Sequence, residues 1–185
     1  FVVRGIVLPL ASGHCVLFDQ ELLRVAAIWK IPVGGTPITP ATMAQISYVN
    51  LRRKADAQHP RPTGQVLLAT GVYPGIADDT AALLRDPRPP AREGEAGRGA
   101  LPAERARFDG IALAGETAIL HYRIGSTAVR EWHESRVSGG GAQVLRHFEV
   151  EAHAASLVLA VGKALSASAA VVSNSAALVV SEQAG

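Results

Sequence analysis

Between Phe108 and Val150 apolar and polar residues alternate, and the alternation is cut at Gly115-Glu116, Gly125-Ser126 and Gly139-Gly140-Gly141. A period of two puts alternate side chains on opposite faces of a strand, and glycine-bearing breaks supply the backbone freedom that tight hairpin turns need. The stretch therefore predicts four consecutive antiparallel strands. This restricts the chain to all-β architectures more firmly than any other feature restricts its chemistry.

The rest of the chain extends the same theme. Val2 to Leu10, His14 to Phe18 and Arg24 to Trp29 read as three short strands, with turns at Ala11-Ser12-Gly13 and Asp19-Gln20-Glu21. Prolines 32, 37, 40 and 60 break any long element between Lys30 and Pro62, although Thr39-Pro40 suits the start of a short helix through Tyr48. A strand at Gln65 to Thr70 follows, then a Tyr73-Pro74-Gly75 turn and a helical turn from Asp78 to Leu84. Asp86 to Arg107 is rich in Pro, Gly, Ala, Arg and Glu, and reads as a flexible loop within the domain. Ser156 to Val161 is a further strand, and Ala169 to Val172 with Ala177 to Val180 reads as a hairpin turning at Ser173-Asn174-Ser175.

At 185 residues, with 48% hydrophobic residues and 18% charged, the chain supports one domain with a substantial core and not a disordered segment. The predicted fold is all-β with minor helix, an antiparallel β-sandwich built from meanders and hairpins and occupying 1–185. Phe1 already lies in a strand-like run without an initiator methionine, so the chain is expected to be a fragment of a longer multidomain protein. The uncharged stretch Ala164 to Ser181 is full of Ser, Ala and Asn174, and suits paired strands better than a membrane span.

A net charge of +2 gives no electrostatic case for nucleic acid. Arg52-Arg53-Lys54 and the arginines from Arg85 to Arg107 lack interleaved aromatics for base stacking, and read as solvated loops. Cys15 is the single cysteine, which excludes an internal disulfide; inside a strand it reads as a small buried hydrophobe. No nucleophile motif or phosphate loop is present, and the six histidines include no close pair at metal-ligand spacing. Asp78-Asp79 lacks the oxygen ligands of a calcium loop and suits turn or helix-cap duty. No catalytic residue, metal ligand or haem attachment residue is assigned.

One polar group stands out. A two-residue type II′ turn at Gly125-Ser126 sets Ile124 opposite Thr127, Tyr122 opposite Val129 and Leu120 opposite Glu131. Continuing through the glycine turn sets Phe148 opposite Glu131 and Arg146 opposite His133. Glu131, His133 and Arg146 then share the mostly apolar face, where they line a pocket able to bind a polar ligand or move a proton, form a paired, hydrogen-bonded cluster at the edge of the core, or are turned to solvent by a bulge. His121, Arg123, Arg130 and Trp132 fall on the other face, where Trp132 is either a sugar-stacking platform or half of a cross-strand pair. The ligand-binding candidates are thus Glu131, His133, Arg146 and Trp132, and carbohydrate is the candidate ligand, with Trp29 as a second stacking residue.

Arg4-Gly5-Ile6, Gly13-His14, Phe18-Asp19, Arg24 and Trp29, followed by Phe108-Asp109-Gly110-Ile111, Gly115-Glu116, Leu120-His121-Tyr122, Gly125 and Glu131, resemble an uncharacterised domain of large, exported haem-binding proteins of the PVC type. The resemblance runs from about Val2 to Val180 and includes the strand glutamate at Glu131. It implies an extracytoplasmic location, periplasmic or secreted, other domains of the same polypeptide as partners, and haem in a neighbouring c-type cytochrome module. It implies no haem on these residues, because the chain contains no Cys-x-x-Cys-His. On this reading the domain is a non-catalytic docking or substrate-facing scaffold, with a carbohydrate-binding or carbohydrate-processing domain and a purely structural spacer as alternatives.

Overall fold

The computed structural model describes residues 2–39, 60–83, 85–90, 92–95, 97–138, 141–154, 156–164, 167–172 and 177–182. Among them every named strand pairs antiparallel, and the one helix is a single turn. A five-stranded sheet has the order β1-β2-β3-β4-β11. Its strands are β1 (Gly5–Pro9), β2 (His14–Asp19), β3 (Arg24–Lys30), β4 (Val66–Ala69) and β11 (Lys163–Ala164). A two-stranded sheet pairs β5 (Ile76–Ala77) with β10 (Val158–Leu159).

The remaining strands form a six-stranded sheet in the order β12-β13-β9-β8-β7-β6. They are β6 (Ala106–Ala114), β7 (Thr117–Ile124), β8 (Thr127–Ser138), β9 (Gly141–Val150), β12 (Ala167–Val172) and β13 (Ala177–Glu182). The four-strand meander and the last hairpin are therefore present, with β6 starting two residues before Phe108. At the β7–β8 turn Gly125 has φ +57° while Ser126 stays out of the left-handed region, the combination a type II′ turn needs. The expected turn at 173–175 and the helix from Thr39-Pro40 fall largely or wholly outside the described residues.

One apolar cluster draws from both large sheets. Val16, Phe18, Val25, Ile28 and Leu68 of the five-stranded sheet join Leu120, Tyr122, Val129 and Val144 of the six-stranded sheet. Phe18 packs at 5.9 Å, centroid to centroid, on Tyr122. The outer face of the five-stranded sheet holds a smaller cluster of Cys15, Ala27 and Trp29, where Trp29 Nε1 donates to the Pro37 carbonyl at 2.8 Å. Trp29 is wholly buried, which removes it as a sugar-stacking residue. Cys15 is also buried, and burial pushes its thiol up to about 11, the opposite of what an activated nucleophile needs.

The helical turn α1 (Thr80–Leu83) is capped by Asp79, whose carboxylate accepts from the Ala82 amide at 2.6 Å. Asp79 thus has the cap duty expected of it. The described residues of 86–105 form no named strand or helix, but they are pinned to the body. Leu101 belongs to the main core, its amide donating to the Glu21 carbonyl at 3.0 Å, and Arg88 is buried, not solvated as its composition suggested.

The β2–β3 connection carries the most demanding backbone. Leu23 adopts φ +49°, a left-handed conformation that costs a branched residue on the order of 1–3 kcal/mol, while its side chain is buried in the core. Gly75 holds this connection: its amide donates to the Leu22 carbonyl at 2.8 Å, and a Cβ on it would lie 2.0 Å from the Leu23 carbonyl oxygen and 2.7 Å from Arg24 Cα. Both contacts are backbone atoms and cannot move aside cheaply. Gly75→Ala is expected to destabilise the fold by about 1–3 kcal/mol, or roughly 2–12 °C in Tm by thermal unfolding.

Candidate functional site

The registers predicted for the meander hold pair by pair. Leu120 lies opposite Glu131 and Tyr122 opposite Val129 on β7 and β8; on β8 and β9 Glu131 faces Phe148 and His133 faces Arg146. Period-two alternation then brings Tyr122, Glu131, His133 and Arg146 to one buried face. Glu131 is 0% exposed and Arg146 1%.

Glu131 Oε1 accepts from Arg146 Nε at 2.9 Å and lies 2.8 Å from Arg146 Nη2, while Oε2 accepts from the Tyr122 hydroxyl at 2.8 Å. His133 Nε2 lies 3.0 Å from Oε1, but its N–H is not aligned on that oxygen. The contact is electrostatic, because the donor direction decides whether a hydrogen bond forms. The Arg146 guanidinium also sits 5.0 Å above the Phe148 ring. Arg146 Nη1 and His133 Nδ1 have no hydrogen-bond partner among the described residues.

These contacts set the protonation of the group. Burial alone raises a carboxyl pKa, but Arg146 first, then His133 and Tyr122, outweigh it and hold Glu131 down at about 2. Burial pushes His133 below the ordinary imidazole value against the pull of Glu131, and Arg146 and His147 push the same way. The Tyr122 phenol is pushed well above its ordinary value, chiefly by burial and then by the Glu131 charge. Near neutral pH the cluster is an ionised carboxylate, a guanidinium, a neutral imidazole and a neutral phenol. A carboxylate held at about 2 is a poor general base.

The polar tract continues across to the other sheet. Ser135, on the same face of β8, accepts from the Ser12 amide at 3.0 Å, and Ser12 Oγ lies 2.7 Å from His14 Nδ1. A second buried ionic group, missed in the sequence, lies at the β2–β3 turn. Arg24 donates from Nε and Nη2 to Asp19 Oδ2 at 3.1 and 3.0 Å and from Nη1 to the Thr70 and Gly71 carbonyls. Arg88 Nη1 donates to Glu21 Oε2 at 3.2 Å, and Arg88 also holds Asp86. The sequence marks Asp19 and Glu21 as turn residues, and 67 positions separate Glu21 from Arg88. No local pattern announces such a pair.

Trp132 is separate from these groups. It lies half-buried on the opposite face, stacked on His147 across the strands with centroids 5.1 Å apart and planes at 6°. One ring face is therefore already covered, as in the cross-strand alternative. A cleft of about 630 Å³ opens around Gly125-Ser126 and is lined by Asp78, Glu104, Arg105 and His153 among others. It contains none of Glu131, His133, Arg146 and Trp132. No group of three or more His, Cys, Asp and Glu able to hold a metal ion is present among the described residues, and no described helix is long and apolar enough to cross a membrane.

Fold and site together define an antiparallel β module with two ionic groups buried in it, one around Glu131 and one at the β2–β3 turn. Residues 16–131 match the family described as a domain of unknown function, DUF6797, which is well over half of the chain, so the protein belongs to that family. The matched span includes Asp19, Arg24, Arg88, Tyr122 and Glu131 and stops before His133 and Arg146. No curated protein and no solved structure matches the chain.

The depressed carboxyl fixes an acid dependence. A group whose folded pKa lies below its unfolded value stabilises the fold above the unfolded pKa and loses that contribution as pH falls through the folded one. For Glu131 the window runs from the ordinary glutamate value, about 4.3, down to about 2, and the contribution is on the order of 3 kcal/mol. The lowered pKa of His133 acts with the same sign, beginning as pH falls through the ordinary histidine value of about 6.5. Urea unfolding from pH 7 to 2 is expected to show a steep acid loss in the native chain and a flatter profile below pH 5 in Glu131→Gln.

Proposed function

We propose that this domain is a non-catalytic scaffold module of a larger exported, haem-linked redox protein, offering a docking or substrate-facing surface to the other domains of its polypeptide. The observation that carries the non-catalytic part is the saturation and burial of Glu131. Both its oxygens are occupied by side chains of the same sheet, and catalysis requires a group that can reach a substrate. Glycoside hydrolysis would in addition need a second carboxyl group across a cleft, about 5–10 Å away. The haem link and the extracytoplasmic location rest on the resemblance of the Arg4 to Trp29 and Phe108 to Glu131 motifs.

Carbohydrate binding through Trp132 is the competing reading, favoured by a half-buried aromatic ring on the outer face of a sheet. The His147 ring on one side leaves it at most a single stacking face. A purely structural spacer is the limiting case in which the docking surface has no ligand beyond its own polypeptide.

Calorimetric titration against a panel of glycans separates these readings. No saturable heat is expected. A saturable isotherm abolished by Trp132→Ala, with folding intact by circular dichroism, would replace the scaffold with a carbohydrate-binding module. The haem link is tested on the complete gene: a Cys-x-x-Cys-His motif outside these residues supports it, and a complete gene without one removes it.

A further inference from the structure

We infer that the cleft around Gly125-Ser126 is a docking groove for a basic peptide segment, one that sets apolar side chains between arginines or lysines. This names a docking surface for the scaffold proposed above, and it rests on that reading. The groove gathers four stretches of chain: Asp78-Asp79 between β5 and α1, Glu104-Arg105 ahead of β6, the β7–β8 turn, and Glu151 to Ala154 after β9. Its volume, about 630 Å³, lies within the range of pockets that hold ligands. The floor is apolar and belongs to the core. Ile76, Leu101 and Ala106 are buried members of the cluster that joins the two large sheets, and Ile124 and Leu157 pack against it half-buried.

The rim carries charges that the molecule does not itself neutralise. Asp78, Asp79, Glu104 and Glu151 line the groove beside a single guanidinium, Arg105, on a chain whose net charge is +2. Asp79 caps α1 and Glu151 accepts from the Ala128 amide at 3.3 Å. Asp78, Glu104 and the Arg105 guanidinium have no hydrogen-bond or ion-pair partner among the described residues. Elsewhere the chain pairs such groups, as at Asp86 with Arg88, Asp109 with Arg107, Glu134 with Arg136 and Glu149 with Arg130. Among the described side chains, the carboxylates outside the groove left without an arginine are Glu93 and Glu116, each alone on an exposed turn.

Unpaired charges around an apolar floor select the occupant. An acidic partner would set its own carboxylates against four of the same sign. A lone organic cation would neutralise a carboxylate but give Arg105 no acceptor. A basic peptide meets every part of the groove: its cationic side chains reach the carboxylates, its backbone carbonyls accept from Arg105, and its apolar side chains cover the floor. Exposed ion pairs are individually weak and screened by salt, so binding is expected to be modest and to weaken as salt rises.

The test is fluorescence anisotropy of a labelled peptide, Ac-Arg-Leu-Arg-Leu-Arg-amide, titrated with the chain at low salt. Saturable binding is expected, weakened about tenfold or more when the arginines are exchanged for glutamates or the leucines for glycines. Asp78→Asn combined with Glu104→Gln is expected to weaken it by a similar factor with the circular dichroism spectrum retained. Glu93→Gln combined with Glu116→Gln removes the same charge outside the groove, and is expected to change the affinity by less than about twofold. No saturable binding of the arginine peptide, equal binding of the glutamate peptide, a groove variant that binds as tightly as wild type, or equal losses in the two double variants would each overturn the groove and leave the scaffold reading standing. Saturable glycan binding abolished by Trp132→Ala would overturn the scaffold reading instead, whatever the peptide does.

Discussion

The Glu131 carboxylate, wholly buried between Arg146 and Tyr122, is the constraint around which the six-stranded sheet is arranged. Its three members come from three consecutive strands, β7, β8 and β9. Slipping any of these by one residue would carry its polar group to the other face and leave a charge or a phenol unpaired in the core. A buried ion pair is not by itself evidence of net stability, since apolar replacements are often as stable. Its consequence is specificity: with partners fixed on both sides, only one register leaves the carboxylate satisfied. The same residues that look catalytic as a list act as a lock on strand alignment.

A second lock works on the other sheet. Asp19 and Arg24 clasp the β2–β3 turn, Glu21 reaches Arg88 across 67 positions, and Leu23 accepts a left-handed backbone under the cover of Gly75. The core joining the sheets is mainly small and aliphatic, with aromatic contact concentrated where Phe18 meets Tyr122. Tyr122 is shared by the apolar core and the Glu131 cluster, so sheet-to-sheet packing and the ionic alignment of the meander depend on the same side chain.

How much of this was legible follows from the range of each interaction. The meander and its register could be read because a glycine at a two-residue turn fixes the first pair and a period of two fixes the others; Glu131, His133 and Arg146 were placed on one face by that argument alone. A paired cluster at the edge of the core was one reading of these residues and an open pocket another, and the pattern alone does not choose between them, because the choice depends on how closely the sheets approach. Arg88 was misread as a solvated side chain because its surroundings are polar and proline-rich and its partner Glu21 is distant in sequence. Trp29 was offered as a stacking surface although the Pro37 carbonyl and the outer-face cluster enclose it. Two-residue strands such as β5 and β11 carry too few residues for any period to show.

The most direct test of the central claim is a double-mutant cycle on Glu131→Gln and Arg146→Met, read as unfolding free energy in urea at neutral pH. Each single change strands a buried partner, so the account predicts that the double variant is more stable than the sum of the two losses by about 1–3 kcal/mol. Additive losses would mean that the carboxylate and the guanidinium do not hold each other, and that the register of the meander is fixed by its turns and apolar pattern alone.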